Sequence, residues 1–181
     1  MRRGIIYIRK DKTMKIGYFV YSIFIVSIVF LSSCDIFNED VVIKMDRATF
    51  ERERNLWNSQ DIKNYQFVCD YFSDAGPKGP VRITVKENEE PVIENKNEFS
   101  EYIIAESIPE IYDFINGTFD FIETVKNGTY DGHKIRSVTL NITYNTQYHY
   151  PVEVDFSTGY VETVDGGAYY TLNISKFLPL D

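Results

Sequence analysis

Cysteine, histidine and tryptophan are scarce in this chain, with two, two and one in 181 residues. Two cysteines, Cys34 and Cys69, exclude a disulfide framework or a four-thiolate zinc site, and no CxxC pair occurs. The histidines, His133 and His149, stand in no HExxH pattern, and no GxSxG elbow is present, so neither a zinc protease nor a serine hydrolase signature can be read. Six prolines and ten glycines are too few for a collagenous or low-complexity chain. Positive charge is short as well, at 19 Lys plus Arg against 27 Asp plus Glu. Six of those bases and only one acid fall in the first 33 residues, which leaves Cys34–Asp181 with a net charge of −13. Such a surface repels phosphate backbones and excludes nucleic acid as a partner. A chain of about 150 residues buries roughly two thirds of its unfolded surface, enough for one core.

What is present begins with a charge-free run, IGYFVYSIFIVSIVFLSS, at residues 16–33, preceded by Lys12 and Lys15 and followed by Cys34 and Asp35. A basic segment, an apolar segment and small residues before a cut make the layout of a secretory leader. Leu31-Ser32-Ser33-Cys34 resembles the lipobox of bacterial lipoproteins, in which a diacylglyceryl group is joined to the cysteine sulfur before cleavage on its amino side. Residues 1–33 are then the signal peptide and Cys34 is the lipidated mature N-terminus. The competing reading is an uncleaved anchor, since the run approaches the ~20 residues of a spanning helix. Translation from Met14 would shorten the leader and leave the mature protein unchanged. At ~0.8 kcal/mol per buried methylene, two or three acyl chains hold a protein on a membrane essentially permanently. The expected partner of Cys34 is therefore a membrane, and the expected location is extracytoplasmic, periplasmic or at the cell surface. Residues 34–45, with Asp35, Glu39 and Asp40, are expected to form an acidic tether, and 46–181 a single domain.

In residues 46–60, DRATFERERNLWNSQ, Phe50, Leu56 and Trp57 fall on one side of a helix whose other faces carry Glu51, Arg52, Glu53 and Arg54. NYQFVCDYF alternates Tyr65, Phe67, Cys69 and Tyr71 with polar neighbours, which predicts a strand. SDAGPKGP predicts a loop, and Val81, Ile83 and Val85 a second strand leading to a short third one at Val92–Glu94. Ser107 and Glu110 cap a helix that continues through Ile108, Ile111, Tyr112, Ile115, Phe119, Ile122 and Val125; Asn116 and Gly117 interrupt the pattern, which leaves a division into two shorter helices open as an alternative. NGTYDG ends that region. Strands are then expected at Ile135–Tyr144, Pro151–Phe156, Tyr160–Val164 and Ala168–Phe177. Short connections favour antiparallel neighbours, so the expected class is α+β: an antiparallel sheet of about five to seven strands with one N-terminal and one central helix on one face.

Trp57, DIKNYQF, GPKGPVRITVKENEEPV, SIPEIYDF, NITYNTQYHYPVEVDF and YYTLNISKF together resemble a family of bacterial lipoproteins known as domain of unknown function 6174, over about Phe50 to Phe177. The resemblance implies a small exported domain and no known reaction, cofactor or catalytic residue. Relatives often carry acids in the turn before the last strand, where this chain has Asp165, Gly166 and Gly167.

Among residues that could carry chemistry, Cys69 shares a face with Tyr65, Phe67 and Tyr71 and reads as a buried inert thiol. His133 and His149 read as solvated loop histidines. Asn127, Thr129, Asp131 and Gly132 imitate a calcium loop, but the bidentate glutamate position falls on Val138, so a turn is the better reading. Tyrosines crowd the C-terminal half. Tyr148, Tyr150 and Tyr170 are candidate binding residues, able to stack on an envelope glycan or anchor a protein partner, against the alternative that strands simply favour tyrosine in and around the core. Tyr169 and Tyr170 are adjacent, so at most one can be core. The expectation is a non-catalytic, lipid-anchored binding module without a cofactor or metal. The alternatives are a small extracytoplasmic hydrolase assembled from scattered Asp, Glu and His, or an inhibitor of an exported enzyme presenting GPKGP on a protruding loop.

Overall fold

The computed structural model describes residues 41–94, 104–163 and 167–181. The leader, Cys34, most of the expected tether and Asp165-Gly166 lie outside the described residues. Helix α1 (Arg47–Ser59) starts where the Asp46 carboxylate accepts the Thr49 backbone N–H at 2.9 Å. Helix α2 (Ile108–Val125) starts at Ser107, whose hydroxyl accepts the Glu110 N–H, while the Glu110 carboxylate reaches back to the Glu106 N–H at 2.7 Å. The strands are β1 (Val42–Lys44), β2 (Tyr65–Ser73), β3 (Gly76–Val85), β4 (Val92–Glu94), β5 (Thr129–Tyr130), β6 (His133–Tyr144), β7 (Pro151–Tyr160) and β8 (Tyr169–Pro179).

The strands join in one sheet of order β1-β6-β7-β8-β2-β3-β4, with β5 paired to β6. Each helix thus precedes its own meander, α1 before β2–β4 and α2 before β6–β8, and the two meanders meet at β8 and β2. Inward residues of the strands and the apolar stripes of both helices form one buried cluster in which Phe50, Phe67, Tyr112, Phe119 and Leu172 are fully enclosed. The opposite face of the sheet exposes Asp70, Asn141, Thr143, Glu153 and Asn173. The alternation of a one-sided antiparallel sheet produces this division.

The architecture is α+β as expected, with corrections. The described residues hold eight strands rather than five to seven, and the sheet is mixed. Val42–Lys44, inside the stretch expected as a tether, pairs in parallel with Ser137–Thr139. Parallel pairing is open to it because the chain returns to β6 only after a long crossover. The strand expected at Pro151–Phe156 runs on to Tyr160, since Ser157, Thr158 and Gly159 all pair with β6. Of the strand expected at Tyr160–Val164 only Tyr160 belongs to it: 161–163 form no strand and Val164 lies outside the described residues. SDAGPKGP is no loop either, because Gly76–Pro80 is the first half of β3. Prolines fit there because β4 pairs only with Arg82–Thr84, leaving that half of β3 with an open edge that needs no donor. Asp70 lies at a register shift in the β2–β3 pairing. The nearby Gly79, at φ +152°, has no room for a side chain, since a Cβ would come 2.9 Å from the Cys69 carbonyl.

Helix α2 is unbroken at Asn116-Gly117. On α1, Leu56 is 38 % exposed, and the residue buried between Phe50 and Trp57 is Glu53, three beyond the first and four before the second. Among the described residues no helix is long and apolar enough to cross a membrane.

Candidate functional site

Helix α2 carries two stripes. One, through Ile108, Ile111, Ile115, Phe119 and Ile122, fills the core. The other repeats at the same helical spacing one step round, through Phe114, Gly117, Thr118 and Phe121, and lines an open cleft of about 400 Å³. Opposite it stand Tyr71 of β2, Phe156 of β7, Tyr170 of β8, Tyr130 of β5 and Ala168. The rings form a continuous wall. Tyr71 lies 6.0 Å from Phe114, Phe114 5.0 Å from Tyr170, Tyr170 5.3 Å from Phe156, Phe156 5.8 Å from Phe121, and Phe121 5.0 Å from Tyr130. Most of these contacts are edge-to-face, the arrangement the ring quadrupole favours.

One polar pair interrupts the wall: the Tyr170 hydroxyl and Thr118 Oγ1 are 2.7 Å apart. Burial pushes the Tyr170 phenol above its usual range, so it stays a neutral donor and acceptor. Among the described residues none that lines the cleft carries a charge. Gly117 lines it from an exposed position, and a Cβ built there would meet nothing within 4 Å. Close packing therefore does not require this glycine, although it costs an interior helix about 1 kcal/mol relative to alanine. The cleft has the size and apolar lining of small-ligand sites.

A second group of functional side chains surrounds His149. Its Nδ1–H donates to Glu53 Oε2 at 2.8 Å, and the Tyr112 hydroxyl donates to its backbone carbonyl. Arg52 donates to the other Glu53 oxygen at 2.8 Å. Burial works against the charged form of Glu53, but these hydrogen bonds outweigh it and hold the carboxyl below its usual range. The tight turn before β7 places His149 here, with Asn145 Oδ1 accepting the Gln147 and Tyr148 N–H groups and His149 itself at φ +60°. His149 is thus no solvated loop residue but a buttress between α1 and the β6–β7 turn. His133 is exposed, with Nδ1 3.3 Å from Glu162 Oε1.

Of the expected binding tyrosines, only Tyr170 lines the cleft. Tyr150 is buried and stacks at 4.6 Å on Phe177, and Tyr148 is half-buried against the same ring at 5.1 Å. With Trp57 and Tyr65 they form a separate aromatic cluster that holds α1 on the sheet. Tyr169 points the opposite way from Tyr170 and pairs with Phe72 on the exposed face of the sheet, ring centres 6.0 Å apart. Cys69 is buried, and burial pushes its thiol up to about 12, which leaves almost no thiolate at neutral pH. Phe114, Gly117, Thr118 and Phe121 escape the sequence reading as a set: their helical spacing is visible, but a glycine in the middle leaves the stripe open to interruption.

The chain belongs to a family of unknown function, DUF6174, whose model matches residues 49–177. The matched region spans both helices, β2 to β7 and most of β8, and so includes every residue lining the cleft. Comparison with curated proteins and with solved structures found no match.

Proposed function

We propose that this protein is an exported lipoprotein, anchored through Cys34, whose folded domain is a non-catalytic binding module of the cell envelope. The observation that carries the binding role is the open aromatic cleft, whose helical wall includes a glycine, Gly117, that close packing does not require. Rings in the walls supply broad, rigid apolar contact. The Tyr170–Thr118 pair supplies one orienting polar point. Support for export and anchoring comes from the charge-free run ending in Leu31-Ser32-Ser33-Cys34.

Titration with the uncharged fluorophore N-phenyl-1-naphthylamine tests the binding role. The mature chain is expected to give saturable emission enhancement, weakened at least tenfold in Gly117→Leu, which fills the cleft, and retained in Gly117→Ala. Equal binding by Gly117→Leu would remove the cleft from the proposal.

A further inference from the structure

The stretch leading into the domain ends beside the hairpin that carries Tyr130, a residue of the cleft. A Cβ built on Gly128 would lie 3.6 Å from Val41 Cγ2, so the entering chain packs against the start of the hairpin whose Tyr130 forms one wall. Only six residues lie between Cys34 and Val41, so the two are at most about 25 Å apart with the chain fully extended. If Cys34 is acylated, as the reading above holds, Val41 and the hairpin start beside it are held within that reach of a bilayer surface. A chain so confined meets lipid at high local concentration.

The charges near the cleft select among lipids. Asp74 follows the β2 strand that bears Tyr71 and Asp131 follows Tyr130, both at exposed positions, whereas Asp120, beside Phe121, is paired with Arg47 at 3.7 Å. Lys78, 5.9 Å from the Tyr71 ring centre, is the cation placed over a lining ring. In a mature chain of net charge −13, an anionic headgroup at this mouth is repelled, whereas a zwitterionic one is not. The ring wall itself is uncharged and open at one side, suited to an alkyl chain entering lengthwise with its headgroup left in water.

We propose that the cleft binds the single alkyl chain of a zwitterionic monoacyl lipid of the envelope, lying between Phe114 and Phe121 of α2 and Tyr130 and Tyr170 of the sheet. This rests on the lipoprotein reading for its proximity to the membrane and on the cleft for its chemistry.

The test uses mature protein reconstituted in phosphatidylcholine nanodiscs, with acylation of Cys34 checked by intact mass, and lysophosphatidylcholine carrying a nitroxide near the end of its chain. Ring resonances of Phe114, Phe121 and Tyr130 are expected to relax at least fivefold faster than those of Phe72 and Tyr169 on the exposed sheet face. In Gly117→Leu the difference is expected to vanish, and in Gly117→Ala to persist. Equal relaxation on both faces, or none at the cleft, overturns the proposal. The same nitroxide on lysophosphatidylglycerol is expected to act at least threefold more weakly, and equal or stronger action overturns the headgroup assignment. Relaxation in a Cys34→Ala mature chain but not in the acylated protein would assign the cleft to the protein's own acyl groups and likewise overturn it. The mass measurement stands apart from these outcomes: an unmodified Cys34 defeats the lipoprotein reading, while the relaxation of the cleft rings still reports whether the alkyl chain binds.

Discussion

Glu53 shows how a single buried charge is made tolerable. It sits in the middle of α1 on the face turned to the core, and it is held by Arg52 and by His149 from the far end of the chain. Hydrogen bonds to a charged group contribute about 1.5–3 kcal/mol. Glu53→Gln is therefore expected to lower unfolding free energy by that order at pH 7. The folded carboxyl titrates below the ordinary glutamate range, so its contribution is fully present above that range and is lost as pH falls through the lower folded value. The gap between wild type and variant in urea titrations should accordingly close on acidification, and a gap independent of pH would contradict the role given to the charge. Tyr144 presents the reverse case, a buried hydroxyl with no hydrogen-bond partner among the described residues. Tyr144→Phe is expected to be neutral or to stabilise by about 1 kcal/mol in the same titration. For Cys69, a thiol reagent should react with the native protein at least a hundredfold more slowly than with the urea-unfolded chain. Neither Glu53 nor His149 could be recognised as a pair from sequence, because 96 positions separate them and only the folded turn brings them together. The sequence reading puts Glu53 on an outward face with Arg52 and Arg54, because charge outweighs spacing there, although its helical spacing from Phe50 and Trp57 is that of a buried position.

At the level of elements, α2 was legible in its cap and in its core stripe, because Ser107, Glu110 and the isoleucines act through local spacing alone. Its continuity through Gly117 was not, since one glycine costs about 1 kcal/mol and packing of Ile115, Phe119 and Ile122 outweighs that. Gly117→Ala should thus raise stability by up to about 1 kcal/mol, measured by thermal or urea unfolding, while Gly79→Ala should lower it because the Cys69 carbonyl stands where its Cβ would be. A loss of stability in Gly117→Ala would mean that the cleft side of α2 is packed more tightly than its geometry indicates. The strand misreadings share one cause. Pro77, Pro80 and Gly159 are turn residues by composition, but an open sheet edge accepts prolines, and Gly159 pairs within the strand at a point where a Cβ would lie 2.6 Å from Ser137 Oγ, which would have to turn aside for a larger residue. Whether Tyr148, Tyr150 and Tyr170 lie in core or cleft depended on sheet order, which a single sequence does not reveal. The opposed facing of Tyr169 and Tyr170 depended only on strand geometry, and it was legible.

The whole molecule combines a chain that is acidic from Cys34 onward, a single core shared by two helix-plus-meander halves, and an aromatic cleft. Its family membership gives the domain a kind but no activity, so the role proposed for it rests on where the chain is held and on what the cleft can accommodate. Both depend on Cys34, because an acyl anchor places the domain outside the cytosol and at a lipid surface at once. Intact-mass spectrometry of the protein taken from its native host measures this directly. The expected species begins at Cys34 and carries the added mass of a diacylglyceryl group, with or without a further acyl chain on its amino group. A species that retains residues 1–33 and an unmodified Cys34 thiol would contradict it.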